Sequence, residues 1–212
     1  MVDIKEAKRI MGKNFIGLEE LKLMLKALSL QLPSKIPNIP FSSDLLKKRA
    51  KKYVLILGIN RMRGGNKITL NNLRSFFGTD PNKSEPCFYN QDWYLKEKFA
   101  NNTTLLNKWY LVRKDIVFST RGQTPERARR FLSKKSVLPS AILTAFTFFA
   151  YYFKTKGEVL WKNDFIWCSD LDHNGDRIYT GRYVDPNKIN KNGFNIHRHL
   201  SIRSCYGCLE VE

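Results

Sequence analysis

The fold is decided by the stretch Tyr53-Val54-Leu55-Ile56-Leu57-Gly58-Ile59, an unbroken apolar run of strand length. A run that is apolar on both faces predicts a strand in the centre of a sheet. Helical patterns precede it at residues 44–51 and follow it from Thr69 to Gly78, where threonine can cap the first turn and glycine the last. A central strand among helices, with further strands later in the chain, predicts an α+β protein.

The strand and helix signals continue towards the C-terminus. Residues 108–118 are rich in aromatic and β-branched side chains, which predicts a strand. Thr124-Pro125-Glu126 predicts a helix start, and we expect that helix to run to about Lys135. Short β segments follow, with Asn174-Gly175 as a hairpin turn before a return strand from Arg177 to Tyr183. The second half is therefore expected to be a mixed α/β core.

The N-terminal 40 residues predict a separate helical arm. Helical spacing of apolar residues covers residues 3–11 and 18–30. The Pro-rich stretch after them, residues 32–40, must be extended because each proline disfavours helix before it. We expect residues 1–40 to be an arm and strap that lies on an α+β core of residues 41–212.

Compartment and membrane signals are few. The most apolar run, from Ala141 to Phe153, has 13 residues, whereas a membrane-spanning helix needs about 20. We therefore expect a buried core helix there. The start of the chain lacks the apolar core of a signal peptide, and of the four cysteines only Cys205 and Cys208 lie close together. This is not a disulfide framework, so we expect a cytoplasmic protein without a membrane span.

The charge balance points to a polyanionic partner. The chain of 212 residues carries 37 basic against 19 acidic side chains, a formal net charge of +18. Residues 1–160 hold 30 of the basic and 12 of the acidic side chains, and residues 161–212 hold 7 of each. A field of this size attracts nucleic acid or another polyanion. A hydrophobic fraction of 42% is enough for a packed core, which excludes a wholly disordered chain.

Three basic segments are the candidate phosphate contacts, two on predicted helices and one on a Gly-rich turn. On the predicted helix that begins at Thr124, Arg127, Arg130 and Lys134 would share one helical face. Phe131 and Leu132 would then face the core. An ordinary solvated surface is the alternative for any one segment. The candidate nucleic-acid-binding residues are Lys47, Lys48, Arg49, Lys51, Lys52, Arg61, Arg63, Lys67, Arg127, Arg130, Lys134 and Lys135.

A cluster of histidines and cysteines near the end of the chain has the chemistry of a zinc site. His197, His199, Cys205 and Cys208 lie within twelve residues of one another. Two imidazoles and two thiolates suit tetrahedral zinc, and Cys168 is a substitute ligand. The alternative is two histidines on a strand and two small buried cysteines, with no cofactor.

The acidic turn from Asp170 to Asp176 resembles the start of a calcium loop. Its twelfth position is Gly181, where a bidentate glutamate is required, so we favour a tight β-turn. Clustered acids are also what a metal-dependent nuclease needs, and Asp164 and Asp172 belong to the same group. The acid–x–Lys partner of such an enzyme is missing, and the chain has no complete catalytic signature.

Short motifs spread in order along most of the chain carry a family resemblance. They are Ala7–Phe15 with Gly17 and Glu19-Glu20, Ile39–Ser42, Trp93-Tyr94 with Glu97–Ala100, Trp109–Val117, Val137–Ala141, and Asp170–Asp172 with Gly175–Ile178. In these motifs the chain resembles an uncharacterised family of bacterial proteins, known mostly from genomes of uncultivated lineages. The resemblance implies a C-type-lectin-like module over residues 108–212, a fold group in which some members display variable ligand-binding surfaces. The tail after Tyr183 departs from the acidic pattern of that family.

These observations lead to three hypotheses of function. The first is a non-enzymatic nucleic-acid-binding or nucleoprotein-associated protein, with lysines and arginines on phosphates. In that hypothesis Trp93, Tyr94 or Tyr89 would stack on bases if they are exposed. The second is a C-type-lectin-like module that binds a protein or another ligand through its C-terminal sheet. The third is a metal-dependent nuclease.

Overall fold

The computed structural model describes residues 2–28, 33, 35–61, 65–80, 82, 85–183, 193–199 and 201–212. Over these residues the chain forms seven α-helices and two β-sheets, which confirms the predicted α+β class. The helices are α1 (Ile4–Met11), α2 (Leu18–Leu28), α3 (Ser43–Arg49), α4 (Leu70–Phe77), α5 (Lys98–Asn101), α6 (Pro125–Arg129) and α7 (Ala141–Thr155). The strands are β1 (Phe15–Ile16), β2 (Tyr53–Leu57), β3 (Trp109–Arg113), β4 (Phe165–Leu171), β5 (Arg177–Tyr183), β6 (Gly193–His197) and β7 (Tyr206–Gly207).

The first sheet, sheet I, has the order β1-β2-β3. All five residues of β2 are buried, so the apolar run is the central strand that its pattern predicts. β1 comes from the N-terminal arm and pairs parallel to β2, with Phe15 opposite Leu55. The arm therefore contributes a strand to the sheet of the core, and the proposed boundary at residue 40 stays a prediction.

The end of the chain extends sheet I on its other side. The backbone N–H of Arg113 donates to the carbonyl of Glu210, and Leu111 and Glu212 exchange two backbone hydrogen bonds of 2.9 and 3.1 Å. On its outer edge this segment meets Val137, whose backbone bridges to Val211. Two acidic residues from the end of the chain, Glu210 and Glu212, are thereby placed beside the basic N-terminal three quarters.

The second sheet, sheet II, has the order β6-β5-β4-β7. β4 and β5 form the predicted antiparallel hairpin. The carboxylate of Asp172 accepts hydrogen bonds from the backbone N–H groups of Asn174 (2.9 Å) and Asp176 (2.8 Å), which closes the turn. Gly175 has a φ of +87°, the left-handed conformation that the Asn-Gly signal predicts. The acidic stretch is therefore a tight turn, as favoured over a calcium loop.

Helix α7 packs between the two sheets. Its residues from Ala141 to Tyr151 are all buried, which confirms the predicted core helix. One hydrophobic cluster joins Leu55 of sheet I, Phe149 of α7 and Phe194 of sheet II. Among the residues that the structure describes, no helix is both long and apolar enough to cross a membrane.

Local signals set the helix starts at the predicted positions. The hydroxyl of Ser42 accepts from the backbone N–H of Leu45 at the start of α3. Thr69 and Asn72 form a reciprocal capping box at the start of α4. Thr124 caps α6, whose first helical residue is Pro125. These caps place the basic residues of α3 and α6 at defined points of the fold.

Candidate nucleic-acid interface

The basic segment around α6 differs from its sequence-based prediction in one respect. The prediction of a helix to about Lys135 is wrong, because α6 ends at Arg129. The backbone N–H groups of Arg130 and Phe131 donate to carbonyls three residues earlier, at 3.1 and 3.0 Å. This tighter winding ends the helical periodicity. Lys134 therefore does not share a helical face with the arginines.

The same change of winding turns Phe131 outward. Phe131 was expected to face the core, and that expectation is wrong because its side chain is 50% exposed. Leu132 is buried as expected, together with Ala128, in a small cluster with Trp167 of sheet II. Because both side chains belong to this one cluster, the Phe131 ring lies on the solvent side of the segment.

A second exposed phenyl ring lies on the turn that packs against α6. Phe118 begins a one-turn 3-10 helix, Phe118–Thr120, and is 85% exposed. That turn contacts α6 directly. Phe118 is the most exposed large hydrophobic side chain among the residues that the structure describes. We call the surface of Phe118, Arg127, Arg130, Phe131, Lys134 and Lys135 the α6 face.

The four cations of the α6 face are exposed. None of them forms an ion pair or a side-chain hydrogen bond with any residue in the described part of the chain. Their charge is therefore available to an external anion. The neighbouring Arg129 is half-buried and donates to the carbonyl of Ser133 at 3.4 Å.

The basic segment at the end of α3 is divided between surface and interior. Lys47, Lys48, Lys51 and Lys52 are exposed. Arg49, by contrast, points inward. Its Nη2 donates to Oε1 of Glu212 at 2.9 Å, and its guanidinium lies 4.6 Å from the centre of the Tyr53 ring. Arg49 is therefore bound within the protein, and only the lysines of this segment face solvent.

Glu210 links the two basic segments. Its carboxylate accepts hydrogen bonds from the Tyr53 hydroxyl (2.5 Å), from Nη1 of Arg113 (3.2 Å) and from the backbone N–H of Ser133 (3.4 Å). Burial alone would raise the pKa of Glu210, but the hydrogen bonds outweigh it and hold the pKa below its usual range. Burial and the adjacent carboxylate raise the pKa of Tyr53 to about 12. This network fixes the end of α3 and the segment after α6 at the same end of sheet I.

The third basic segment lies elsewhere. Arg61 and Lys67 face each other across a backbone bridge, and Nη1 of Arg61 donates to the carbonyl of Gly65 at 3.0 Å. They follow the C-terminal end of β2, whereas Lys52 precedes its N-terminal end, and a strand of five residues spans roughly 13 Å. Arg63 lies outside the described residues. The turn is thus not brought together with the other two segments.

The aromatic residues predicted to stack on bases are covered. Tyr94 is only 1% exposed, and Tyr89 is half-buried. The Trp93 indole donates to the carbonyl of Ile196 at 3.0 Å, and the Arg198 guanidinium lies 4.5 Å from its ring centre. The exposed phenyl rings of the α6 face were missed by the sequence reasoning. The one signal in the sequence was that Phe118 is followed by a polar stretch, whereas a continuing strand would show alternating apolar and polar residues.

The four predicted zinc ligands are not gathered into one site. His197 packs against Tyr179, with ring centres 5.8 Å apart, and burial lowers its pKa to about 4. Cys208 is buried in the small cluster below α6, and burial raises its pKa to about 12. His199 faces away from both, towards Asp176 at 3.2 Å. All four cysteines are free.

Within the described residues, one group of possible ligands does lie close together: Asp172, Asp176 and His199. The Asp172 carboxylate in this group is already bound, since Nη1 of Arg198 lies 2.5 Å from its Oδ2. A guanidinium at that position supplies the charge that a cation would otherwise supply. The group shares only His199 with the predicted zinc set.

Two of the acids that a nuclease would use, Asp164 and Asp170, bind structural partners outside the group of Asp172 and Asp176. Asp164 forms two hydrogen bonds with the Arg121 guanidinium, at 2.7 and 2.8 Å. Asp170 accepts from the backbone N–H of Ala141 at 2.6 Å and so helps to cap α7. Each carboxylate thus has a structural partner in the fold.

An open groove of about 430 Å³ runs along sheet II beside the start of α6. Trp167 and Tyr179 form its floor, and Leu171, Asp176 and His199 lie at its sides. The Trp167 indole donates to the carbonyl of Gln123 at 3.1 Å, so the ring is fixed in place.

Comparison with protein-family models, with curated proteins and with solved structures finds no match for this chain.

Proposed function

We propose that the protein binds single-stranded nucleic acid through the α6 face. The observation that carries this proposal is the exposure of Phe118 and Phe131 on two packed segments, one of which also carries four exposed cations without ion-pair partners among the described residues. Aromatic rings interleaved with cations are the combination by which proteins bind single strands, because bases stack on the rings and phosphates contact the cations.

Each part of the α6 face has a role in this proposal. Arg127 and Arg130 contact phosphates from the end of the helix, and Lys134 and Lys135 do so from the turns that follow. Unpaired bases stack on the phenyl rings, which a duplex with stacked bases could not do. The lysines at the end of α3 lie at the same end of sheet I and add long-range attraction. The composition of this surface favours phosphate contact without base-specific reading.

The test is an affinity measurement on a labelled oligothymidine of roughly 15 nucleotides, by fluorescence anisotropy. Phe118→Ala and Phe131→Ala are each expected to weaken binding at least fivefold, since loss of one stacked base costs about 1–3 kcal/mol. Phe76→Ala is the matched control, because Phe76 is also an exposed phenylalanine (41%) but lies on α4. Equal affinity of all three variants and the unmodified protein would overturn the proposal.

A salt titration of the same complex gives a second, independent readout. Four phosphate contacts predict that the logarithm of affinity falls with the logarithm of salt concentration with a slope of about −3. The duplex of the same sequence should bind more weakly than the single strand. A slope near zero would exclude phosphate-driven binding.

A ligand-binding module of the lectin-like kind is the second candidate, and the groove along sheet II favours it. That groove has the exposed apolar side chains of Leu171 and Ile202 beside Asp176 and His199, which suits a polar ligand with an apolar face. Binding there should be insensitive to salt and unaffected by Phe118→Ala. Binding of this kind that is lost in Trp167→Ala, with the fold retained, would favour the second candidate over the first.

A further inference from the structure

A polar pocket of about 370 Å³ lies between three parts of the chain. They are the turn that follows α3, the residues after β3 and the loop before β4. None of the residues of the α6 face lines it. Its charged lining residues are Lys51, Lys114, Lys162, Asp115, Glu158 and Asp164. Equal numbers of cations and anions line this pocket. Its net charge towards a ligand therefore depends on which of these side chains are already paired within the protein.

Two of the three carboxylates are neutralised from outside the pocket. Glu158 accepts hydrogen bonds from Nζ of Lys13, at 2.9 and 3.0 Å. Asp164 is held by both guanidinium nitrogens of Arg121. Neither Lys13 nor Arg121 lines the pocket itself. Counting these two partners, the charges at the pocket sum to +2.

The three lysines of the pocket are not engaged elsewhere. Lys51, Lys114 and Lys162 form no ion pair with any residue that the structure describes. Lys114 is half-buried, and burial, followed by the charge of Lys13, lowers its pKa. A cation that is partly removed from water and faces a second cation gains stability when an anion binds beside it.

The loop that forms one wall is held in an uncommon conformation. Trp161 and Asn163 have φ values of +52° and +62°, in the left-handed region that bulky aromatic residues rarely adopt. The fold holds them there: Trp161 is buried, and the N–H of Asn163 donates to the carbonyl of Arg182 at 2.8 Å. The indole nitrogen of Trp161 is buried without a hydrogen-bond partner among the described residues. Backbone strain that is retained in this way is typical of preformed binding sites.

We propose that this pocket binds a phosphate monoester group. Such a group carries a charge close to −2 at neutral pH, which complements the +2 of the pocket, and its oxygens can accept from several ammonium groups at once. Three lysines, which bind as point charges, suit a group that enters in varied orientations. The site goes beyond the proposed nucleic-acid interface, because it uses different residues. The monoester is either part of a small free molecule or the terminal phosphate of a nucleic-acid strand.

The experiment is a calorimetric titration of the full-length protein with thymidine 5′-monophosphate, with thymidine as the uncharged comparison. We expect saturable binding of the monophosphate to one site and none of thymidine. Lys114→Gln and Lys162→Gln should each weaken binding about tenfold, the usual effect of losing one charge-assisted hydrogen bond. Lys98→Gln is the matched control, an exposed lysine on α5 outside the pocket.

Three outcomes would overturn the proposal. They are the absence of saturable binding, equal binding of thymidine, and unchanged affinity in both pocket variants. Lys114→Arg keeps the charge, so its binding should stay close to that of the unmodified protein. Near-complete loss in that variant, with an unchanged circular dichroism spectrum, would also contradict a simple charge-based site.

A second arm identifies the source of the phosphate and separates this site from the α6 face. Oligothymidine with a 5′-phosphate is compared with the same strand ending in a 5′-hydroxyl. Tighter binding of the phosphorylated strand, lost in Lys114→Gln, assigns the pocket to strand ends. Equal binding of the two strands, together with saturable monophosphate binding, assigns it to small free monoesters. Phe118→Ala should leave monophosphate binding unchanged, so failure of the nucleic-acid proposal would not affect this result.

Discussion

The two basic segments at one end of sheet I are alike in sequence and different in structure. In residues 47–52 the arginine is bound by Glu212 and covers Tyr53, and four lysines remain at the surface. In residues 127–135 the exposed cations have no ion-pair partner among the described residues, and Phe131 of this segment is exposed, as is Phe118 on the turn packed against α6. The first segment therefore joins the end of the chain to sheet I, while the second is free to bind a partner.

The difference between them comes from residues far away in the sequence. Glu210 and Glu212 are brought to the first segment because the end of the chain pairs with β3. No carboxylate of the described residues is brought to the exposed cations of the second segment. A count of local charges cannot distinguish these two cases, because the partner of each cation is set by strand pairing.

The largest expected effect tests the Glu210 network, which holds both segments at one end of sheet I. Glu210→Ala should lower the free energy of unfolding by about 3 kcal/mol, because it leaves Arg113 and Tyr53 without their buried acceptor. Urea denaturation at neutral pH measures this change. Glu126→Ala, at an exposed glutamate on α6, is the control and should change stability by less than about 0.5 kcal/mol. Equal effects of the two substitutions would show that the Glu210 network does not stabilise the fold.

The same network predicts a pH dependence. The pKa of Glu210 is lowered in the folded protein, so its contribution is fully present above its ordinary pKa of 4.5 and is lost as the pH falls through the lowered value. The stability difference between the unmodified protein and Glu210→Ala should therefore be constant from pH 8 to pH 5 and shrink below about pH 4. Denaturation curves at a series of pH values check this. A difference that grows on acidification would contradict the assigned charge state.

The next effect tests the partner-binding role of the second segment. Arg127→Gln combined with Arg130→Gln should weaken single-strand binding about tenfold and make the salt slope less steep by about 1.4, since each phosphate contact contributes about −0.7. Stability should change little, because both side chains lie at the surface. The anisotropy titration at several salt concentrations gives both numbers. An unchanged slope would show that these arginines do not contact phosphate.

A smaller effect is expected for the surface lysines of the first segment. Lys47→Gln combined with Lys48→Gln should weaken single-strand binding about twofold, because these residues attract the strand without contacting it directly. Addition of salt should remove the difference. Lys47 is also partly offset by Asp44, which lies 3.7 Å away. A loss as large as that of the arginine pair would place the contact surface on α3 instead.

The smallest effect concerns the Gly-rich turn. Arg61→Gln combined with Lys67→Gln should leave affinity within about 1.5-fold, because the turn lies at the far end of β2 and more than a Debye length of about 10 Å from the other segments. A larger loss, measured in the same titration, would mean that the bound strand extends along sheet I to the far end of β2.

Much of the fold follows from local signals in the sequence, and the candidate site follows only in part. The apolar run of β2, the caps at Ser42 and Thr69 and the Asn-Gly turn each act over a few residues, so their patterns were sufficient. The length of α6 was not predictable in this way. No glycine or proline ends it, and its end is marked only by the backbone hydrogen bonds of Arg130 and Phe131 to carbonyls three residues earlier.

Which side chains of the candidate site are exposed and unpaired depends on contacts between residues that are far apart in the sequence. Arg49 was a candidate phosphate contact because its neighbours in sequence are lysines, yet its partner is 163 residues away. The exposure of Phe118 likewise depends on how its turn packs against α6. Sequence reasoning identified the basic segments as a class, and tertiary contacts decided which of their cations are free.

The position of α7 has a consequence for how the molecule unfolds. Residues of sheet I, sheet II and α7 belong to one hydrophobic cluster, so neither sheet can separate from the helix without exposing part of that shared core. Heat should therefore melt the whole protein in one cooperative transition. The calorimetric enthalpy should equal the van't Hoff enthalpy, and hydrogen exchange should be slowest at the amides of α7.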